Sequence, residues 1–132
     1  MPTFRQLVQK KKSRNRKLRN KYCRTKRLRG SPQRKGSCVR VYTTSPKKPN
    51  SSVRKICKVR LSTGKKIRAA IPGQGHGLQQ YSVVMVRGGR CRDIPGIHYK
   101  LIRGKYDFIS AETIHRTQRR SKYGLKRPKF EE

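Results

Sequence analysis

Residues 53–71, "VRKICKVRLSTGKKIRAAI", decide the fold of this chain. In the first half, apolar residues alternate with lysine and arginine as far as Leu61, and the alternation resumes at Ile67. A period of two is typical of strands that have one buried face and one solvent face. Residues 62–65, "STGK", lie between the halves and have the composition of a turn. The stretch therefore predicts a β-hairpin with one apolar and one basic face.

Three more strands are predicted around this hairpin, at residues 37–44, 81–86 and 97–103. Five short strands separated by long basic loops are typical of a small barrel that closes on itself. Closure also removes exposed strand edges, which matters where the core is small. We expect an all-β core in the form of a five-stranded OB-fold barrel, with an SH3-like barrel as the alternative.

The composition divides the chain of 132 residues into three segments. Residues 1–35 are predicted to form a basic N-terminal arm, with 15 lysines and arginines, no acid, and a short helix started by a Thr3–Gln6 capping box. Residues 36–106 are predicted to form the barrel, and residues 107–132 a basic C-terminal extension. Only one small core fits in a chain of this length.

The charge balance is the strongest indication of function. The chain has 38 Lys and Arg against 5 Asp and Glu, a formal net charge of +33. A compact form of such a chain repels itself, so we expect an external polyanion, and nucleic acid is favoured. An anionic membrane is the competitor, but the sequence has no long apolar run and only one short amphipathic segment. No membrane partner is predicted.

Catalytic and metal-binding patterns are absent from the sequence. The four cysteines, at 23, 38, 57 and 91, include no Cys-x2-Cys or Cys-x4-Cys pair, and Cys57 continues an apolar alternation as a predicted buried thiol. The three histidines, at 76, 98 and 115, have no metal-ligand spacing. We expect no cofactor, no metal site and no enzymatic activity from these residues.

The loop at residues 45–52, "SPKKPNSS", is predicted to be an ordered RNA-contacting element. Pro46 and Pro49 fix their own φ angles and restrict the residues before them, so the two lysines project in defined directions. Asn50 and Ser51 carry groups that both donate and accept, as contacts in the shallow minor groove of A-form RNA require. The alternative is an Asx-type turn that opens the next strand.

Two glycine-containing loops carry further predictions. In "VRGGRCRDIPG", residues 86–96, Asp93 lies among arginines and is expected to form a salt bridge that holds the loop. The alternative is that Asp93 is only a turn residue. In "IPGQGHGLQ", residues 71–79, the glycines indicate either a flexible barrel loop or a backbone that approaches RNA closely.

Three segments closely resemble one known family: "CVRVYTTSPKKPNSSVRKICKVRL", "GHGLQQYSVVMVRGGRCRDIPG" and "RSKYGLKRPK". The family is the twelfth protein of the small ribosomal subunit in its bacterial and organellar form. The likeness runs from about residue 33 to residue 129, with a trace near residue 6. It implies an OB barrel with a long N-terminal arm buried in ribosomal RNA, and a position of the protein at the decoding centre.

The resemblance also implies roles for individual residues. Two loops would contact the codon–anticodon minihelix formed by mRNA and tRNA, and influence translational accuracy and the response to aminoglycosides. Asp93 matches an aspartate that some bacteria methylthiolate. The implied site residues are Lys47, Lys48, Pro49, Asn50 and Ser51 in the first loop, and Arg90, Arg92, Asp93, Pro95 and Gly96 in the second. The implied partners are small-subunit rRNA, neighbouring ribosomal proteins and, transiently, elongation factors.

The chain departs from the family pattern at several positions. Arg92 stands where the family usually has Lys, and Gln74 and Gln80 stand where it usually has acids on a surface toward the elongation factors. Residues 9–32 are more basic than the family norm. These departures favour a mitochondrial ribosome over a plastid or bacterial one.

Two functions of different classes follow from the sequence. The first is a structural and decoding component of the small ribosomal subunit. The alternative is a free OB-type RNA-binding module or RNA chaperone, which would bind arbitrary RNA with a strong salt dependence. The scattered aromatic residues form no evident stacking platform, which favours the first function.

Overall fold

The computed structural model describes residues 3–8, 25–109 and 116–127 of the chain. Residues 4–8 are helical, and a 3-10 turn follows at Lys26–Leu28. Five strands make up the centre of the molecule, and a four-residue helix lies near the C-terminus at Arg120–Tyr123. The strands are β1 (Gln33–Thr44), β2 (Arg54–Leu61), β3 (Lys66–Ala70), β4 (Val83–Gly88) and β5 (Tyr99–Leu101).

The five strands form one closed barrel in the order β1-β2-β3-β5-β4, with β4 returning to β1. All neighbours are antiparallel except β3 and β5, which are parallel and joined by the single pair Ala70 and Lys100. Because β5 also pairs with β4, this short strand completes the ring. The predicted all-β, five-stranded barrel is confirmed, and the strand order is consistent with an OB-like fold.

The hairpin that indicated the fold forms as predicted. Strand β2 pairs antiparallel with β3 from Ile56 opposite Ala70 to Arg60 opposite Lys66. Its tight turn contains Gly64 at φ 78°, a left-handed conformation that glycine adopts without steric cost. The hairpin side chains that belong to the larger, barrel-filling cluster are Cys57, Val59, Leu61, Ile67 and Ala69, and its exposed basic side chains include Lys58, Arg60, Lys66 and Arg68.

The apolar residues form two clusters. The larger one fills the barrel and includes Leu28 from the 3-10 turn and Phe108 from the segment after β5. The smaller one consists of Ile56, Ala70, Ile94 and Ile97, and it lies where the loop between β4 and β5 covers the end of the hairpin. Burial of Ile94 and Ile97, at 4% and 1% exposure, anchors that loop to the barrel by the hydrophobic effect.

Several predicted strand ends were wrong. Strand β1 begins at Gln33, because residues 33–37 pair with β4. Tyr81 was predicted to begin a strand, but its φ is 68° and its side chain is 77% exposed. Val53 lies before β2 and is 57% exposed. Strand β5 has three residues rather than seven. The boundaries of the three predicted segments stay predictions.

The N-terminal capping box is present. The Thr3 amide donates to Oε1 of Gln6 at 3.1 Å, and the Gln6 amide donates to Oγ1 of Thr3 at 3.4 Å. The apolar side chains of this helical turn are exposed. Residues 9–24 of the arm, which include Cys23, lie outside the described residues. His115, near the C-terminus, also lies outside them. Within the described part, no helix is long and apolar enough to cross a membrane.

Candidate nucleic-acid interface

The structure brings the two predicted loops together into one surface. We call residues 46–51, between β1 and β2, and residues 90–96, between β4 and β5, the two-loop surface. The Lys47 amide donates a hydrogen bond to the Asp93 carbonyl oxygen at 2.8 Å. The side-chain amide of Asn50 donates to Oδ1 of Asp93, also at 2.8 Å. These bonds join residues 43 and 46 positions apart in sequence, so the two loops are held together directly.

Asp93 also forms a salt bridge with a residue of the barrel. Nη2 of Arg54, the first residue of β2, lies 3.1 Å from Oδ2 of Asp93. Both side chains are about two-fifths exposed, so water screens the pair and its contribution is within about 1 kcal/mol. The predicted salt bridge of Asp93 is present, but its arginine comes from β2 and not from the loop that contains Asp93. The alternative of an unconnected turn residue is wrong.

The functional groups of the first loop face solvent. The backbone amide of Asn50 donates a hydrogen bond to the Lys47 carbonyl at 3.0 Å and closes a turn in this loop. The Lys48–Pro49 peptide bond is cis. The exposed residues of the first loop are Lys47, Lys48, Pro49, Asn50 and Ser51. Asn50 donates one side-chain amide hydrogen to Asp93, and its side-chain oxygen and other amide hydrogen have no partner among the described residues, so both are available to a ligand.

The second loop combines exposed cations with a buried anchor. Its exposed residues are Arg90, Arg92, Pro95 and Gly96, while Asp93 is half-buried and Ile94 is buried. These residues were predicted to share one loop, but packing of that loop on the hairpin was not predicted. The pairing of Ile94 with Ile56 and Ala70 in one cluster provides the fixed base on which the exposed side chains stand.

A buried arginine, missed by the sequence analysis, shapes the glycine loop at residues 72–77. Arg103 is 2% exposed. Its Nη1 donates to the Pro72 carbonyl at 2.7 Å and to the Gly75 carbonyl at 2.9 Å, and its Nη2 donates to Gly75 at 2.9 Å and to Gln74 at 3.2 Å. The guanidinium also lies 4.7 Å from the centre of the Phe108 ring. These contacts support an ordered glycine loop rather than a flexible one.

A sequence signal for Arg103 existed. Tyr99, Leu101 and Arg103 follow one another at intervals of two, and all three are buried. An arginine that continues the inward-facing positions of a strand marks a charged group with internal partners, since unpaired charges are rarely buried.

The histidine of the glycine loop is a weak base. Partial burial, followed by the charges of Lys55 and Arg103, lowers the pKa of His76. Its Nδ1 accepts a hydrogen bond from the Leu78 amide at 3.3 Å. A neutral imidazole is therefore part of the loop structure near neutral pH.

The cysteines in the described residues are free thiols. Cys57 is fully buried, as predicted, and a hydrogen bond with Cys38 together with burial raises its pKa. Its Sγ lies 3.7 Å from the Ala69 carbonyl oxygen. No group of three His, Cys, Asp or Glu residues in the described part is arranged to hold a metal ion.

The family model for ribosomal protein S12/S23 matches residues 19–130 of the chain. The chain belongs to the ribosomal protein S12/S23 family. The match covers the whole barrel and both loops of the two-loop surface, and it confirms the resemblance seen in the sequence.

Membership of the S12/S23 family defines the general role of the protein. It is a structural constituent of the small ribosomal subunit, located in the ribosome, and the family is of a structural, non-enzymatic kind. Its partners are accordingly the components of a ribosome, meaning ribosomal RNA and other ribosomal proteins.

Proposed function

We propose that this S12/S23-family protein binds small-subunit rRNA at the decoding centre and supports the monitoring of the codon–anticodon minihelix by its two-loop surface. The observation that carries the proposal is the pair of hydrogen bonds from Lys47 and Asn50 to Asp93. They join two exposed polar loops into a preformed surface. A preformed surface loses less conformational entropy when it binds a nucleic acid.

The chemistry of the surface fits a paired RNA target. The minor groove of A-form RNA is shallow and displays 2'-hydroxyls and base edges, which amide and hydroxyl groups contact in both donor and acceptor roles. Exposed Asn50 and Ser51 supply those groups, while Lys47 and Lys48 supply charge for phosphates. In this arrangement Asp93 positions Asn50 rather than contacting RNA itself, and its exposed fraction leaves it open to modification.

Contacts with rRNA would extend over the rest of the barrel. The outward faces of β2 and β3 carry lysine and arginine, and the only acids in the described residues are Asp93 and Asp107. Both have partners within the protein. A surface with so little counter-charge supports binding to an anionic polymer at many points.

The proposal includes a mitochondrial ribosome and transient contact with elongation factors. Its support is the set of family departures, in particular Gln74 in the glycine loop where the family usually has an acid. A plastid or bacterial ribosome is the alternative location. Purification of ribosomes from separated organelles distinguishes these locations.

Sedimentation distinguishes a ribosomal constituent from a free RNA-binding module. We expect the chain to travel with small subunits in a sucrose gradient of native extract, and to leave that position after ribonuclease digestion. A chain that stays at the top of the gradient, or that is unaffected by ribonuclease, contradicts the proposal. Equal affinity for RNAs of unrelated sequence would instead favour the free RNA-binding module.

Misreading assays test the decoding role of individual residues. We expect Asn50→Ala and Lys47→Ala to leave subunit assembly nearly intact and to change misreading of near-cognate codons. Lys47→Ala retains its bond to Asp93, because that bond uses the backbone amide, so it isolates the side-chain charge. Lys65→Ala is the matched control, since Lys65 is an exposed lysine in the turn at the other end of β2. If both test variants misread at the level of the control, the surface does not monitor codons.

A further inference from the structure

A basic groove lies between the N-terminal arm and the barrel. It is open to solvent and has a volume of about 380 Å³. Lys26 and Arg27 of the 3-10 turn line one side, Lys66 and Arg68 of β3 line the other, and His98 lines the same cavity. We call this cavity the arm–barrel groove. Four cations from two distant segments of sequence therefore surround one space.

Packing, rather than attraction between the walls, holds the groove in shape. Leu28, next to the two arm cations, is 4% exposed and belongs to the barrel core. The Arg27 amide donates to the Tyr99 hydroxyl at 3.3 Å, and Nε of Arg34 donates to the Leu28 carbonyl at 2.9 Å. The 3-10 turn is thus fixed to the barrel, and its positive side chains are kept close to those of β3.

No acid in the described residues compensates this charge. Asp93 pairs with Arg54 and Asn50, and Oδ2 of Asp107 accepts from the Val83 amide. Neither acid lines the groove. Like charges gathered around a shared space repel one another, and a bound anion removes the repulsion.

We propose that the arm–barrel groove is a binding site for a backbone phosphate of RNA, which bridges the cations of the arm to those of β3. The proposal rests on the proposed function for its RNA partner. The groove adjoins the two-loop surface, because Gly96 belongs to both. One RNA segment that follows the protein surface would therefore contact both.

The side chains of the groove suit a phosphate. The Arg68 guanidinium lies against Gly96, where a Cβ would be 3.2 Å from Nη2, so glycine leaves room for the planar group. A guanidinium donates two parallel hydrogen bonds to phosphate oxygens. His98 lines the same cavity, so its ring lies close enough to report on a phosphate bound there. The bound phosphate would couple the arm to RNA.

Histidine NMR on the full chain tests the site directly. Protein labelled at histidine is titrated at low salt with inorganic phosphate and, separately, with a short single-stranded RNA at equal phosphate concentration. We expect the His98 ring resonances to shift with both and more with RNA, while those of His76 move less. An unmoved His98, or equal movement of both rings, overturns the proposal. A response to inorganic phosphate that RNA does not exceed overturns the assignment to RNA.

Charge-neutral variants provide the second measurement. The double variant Lys66→Gln with Arg68→Gln removes one wall. Lys58→Gln with Arg60→Gln removes the same charge from the outer face of β2, which also belongs to the proposed rRNA-contacting surface, so this variant is the control for the His98 response, which it should keep. We expect the groove variant to abolish the His98 response and to bind RNA about tenfold more weakly. The slope of log K against log salt should shrink by roughly 0.7 to 0.9 for each phosphate that the variant no longer neutralises. Full retention of the response in the groove variant contradicts the proposal.

Sedimentation separates this proposal from the proposed function. If the chain travels with small subunits but His98 does not respond, only the groove assignment fails. If the chain does not travel with small subunits, the ribosomal function fails whatever the NMR result.

Discussion

Replacement of Arg103 tests whether one buried side chain holds the glycine loop. In Arg103→Leu, the carbonyls of Pro72, Gln74 and Gly75 are deprived of a charged donor at distances of 2.7–3.2 Å. Hydrogen bonds to charged groups contribute about 1.5–3 kcal/mol each when buried. Three such carbonyls would amount to about 4.5–9 kcal/mol. Because the glycine loop is largely exposed and water replaces much of the loss, we expect a smaller total of about 3 kcal/mol.

Thermal unfolding followed by circular dichroism measures this loss. A change of about 1 kcal/mol shifts the Tm of a domain of this size by roughly 4 °C, so the variant should melt about 12 °C lower. Arg60→Leu is the control, because Arg60 lies on the exposed face of β2. Hydrogen exchange should accelerate at the amides of residues 73–77 in the test variant. A Tm within about 2 °C of the control, or unchanged exchange, refutes the reasoning.

Three further predictions concern the barrel, the glycine loop and the two-loop surface. Gly36→Ala should lower the free energy of unfolding by about 1–3 kcal/mol in urea, because its Cβ would lie 2.6 Å from a backbone oxygen of β2; Gly77→Ala, with open space around it, is the control. The pKa of His76 is lowered in the folded state, so the neutral imidazole contributes fully to the free energy of unfolding above the unfolded-state pKa of about 6.5. That contribution is lost as the pH falls through the folded-state pKa. His76→Gln should therefore flatten part of the fall in Tm between pH 7 and pH 5, and an identical pH profile would contradict this. Asp93→Asn should cost at most about 1 kcal/mol in urea, because its pair with Arg54 is screened; a larger loss would show that the loop junction stabilises the barrel.

The fold was largely predictable because its information is local. The alternation of apolar and basic residues in the hairpin indicates directly which side chains face the core. The glycine at position 64, with its positive φ, indicates the tight turn between β2 and β3. Strand ends were less accurate because they depend on distant partners. Gln33 is extended since it pairs with Arg87, and Tyr81 leaves the strand at a positive φ while its amide donates to the Cys38 carbonyl.

The candidate site was predictable residue by residue but not as an assembly. Local composition marks Asn50 as an exposed polar group and Asp93 as a paired carboxylate. Their contact with each other, and the choice of Arg54 as the ionic partner, depend on barrel closure, which no local pattern encodes. For Arg103, the interval of two with Tyr99 and Leu101 indicates an inward-facing position, but its carbonyl partners are about thirty residues earlier in the chain and depend on barrel closure in the same way.

The short strand β5 has a consequence for synthesis of the protein. It is the strand that connects β3 to β4, and it spans only Tyr99–Leu101. Until those residues emerge from the translating ribosome, β3 presents an unpaired edge, and unpaired edges promote association between nascent chains. At a synthesis rate of about 5–20 residues per second, that edge stays open for seconds after β3 has emerged. Chaperone demand during synthesis should therefore peak between the emergence of β3 and that of β5.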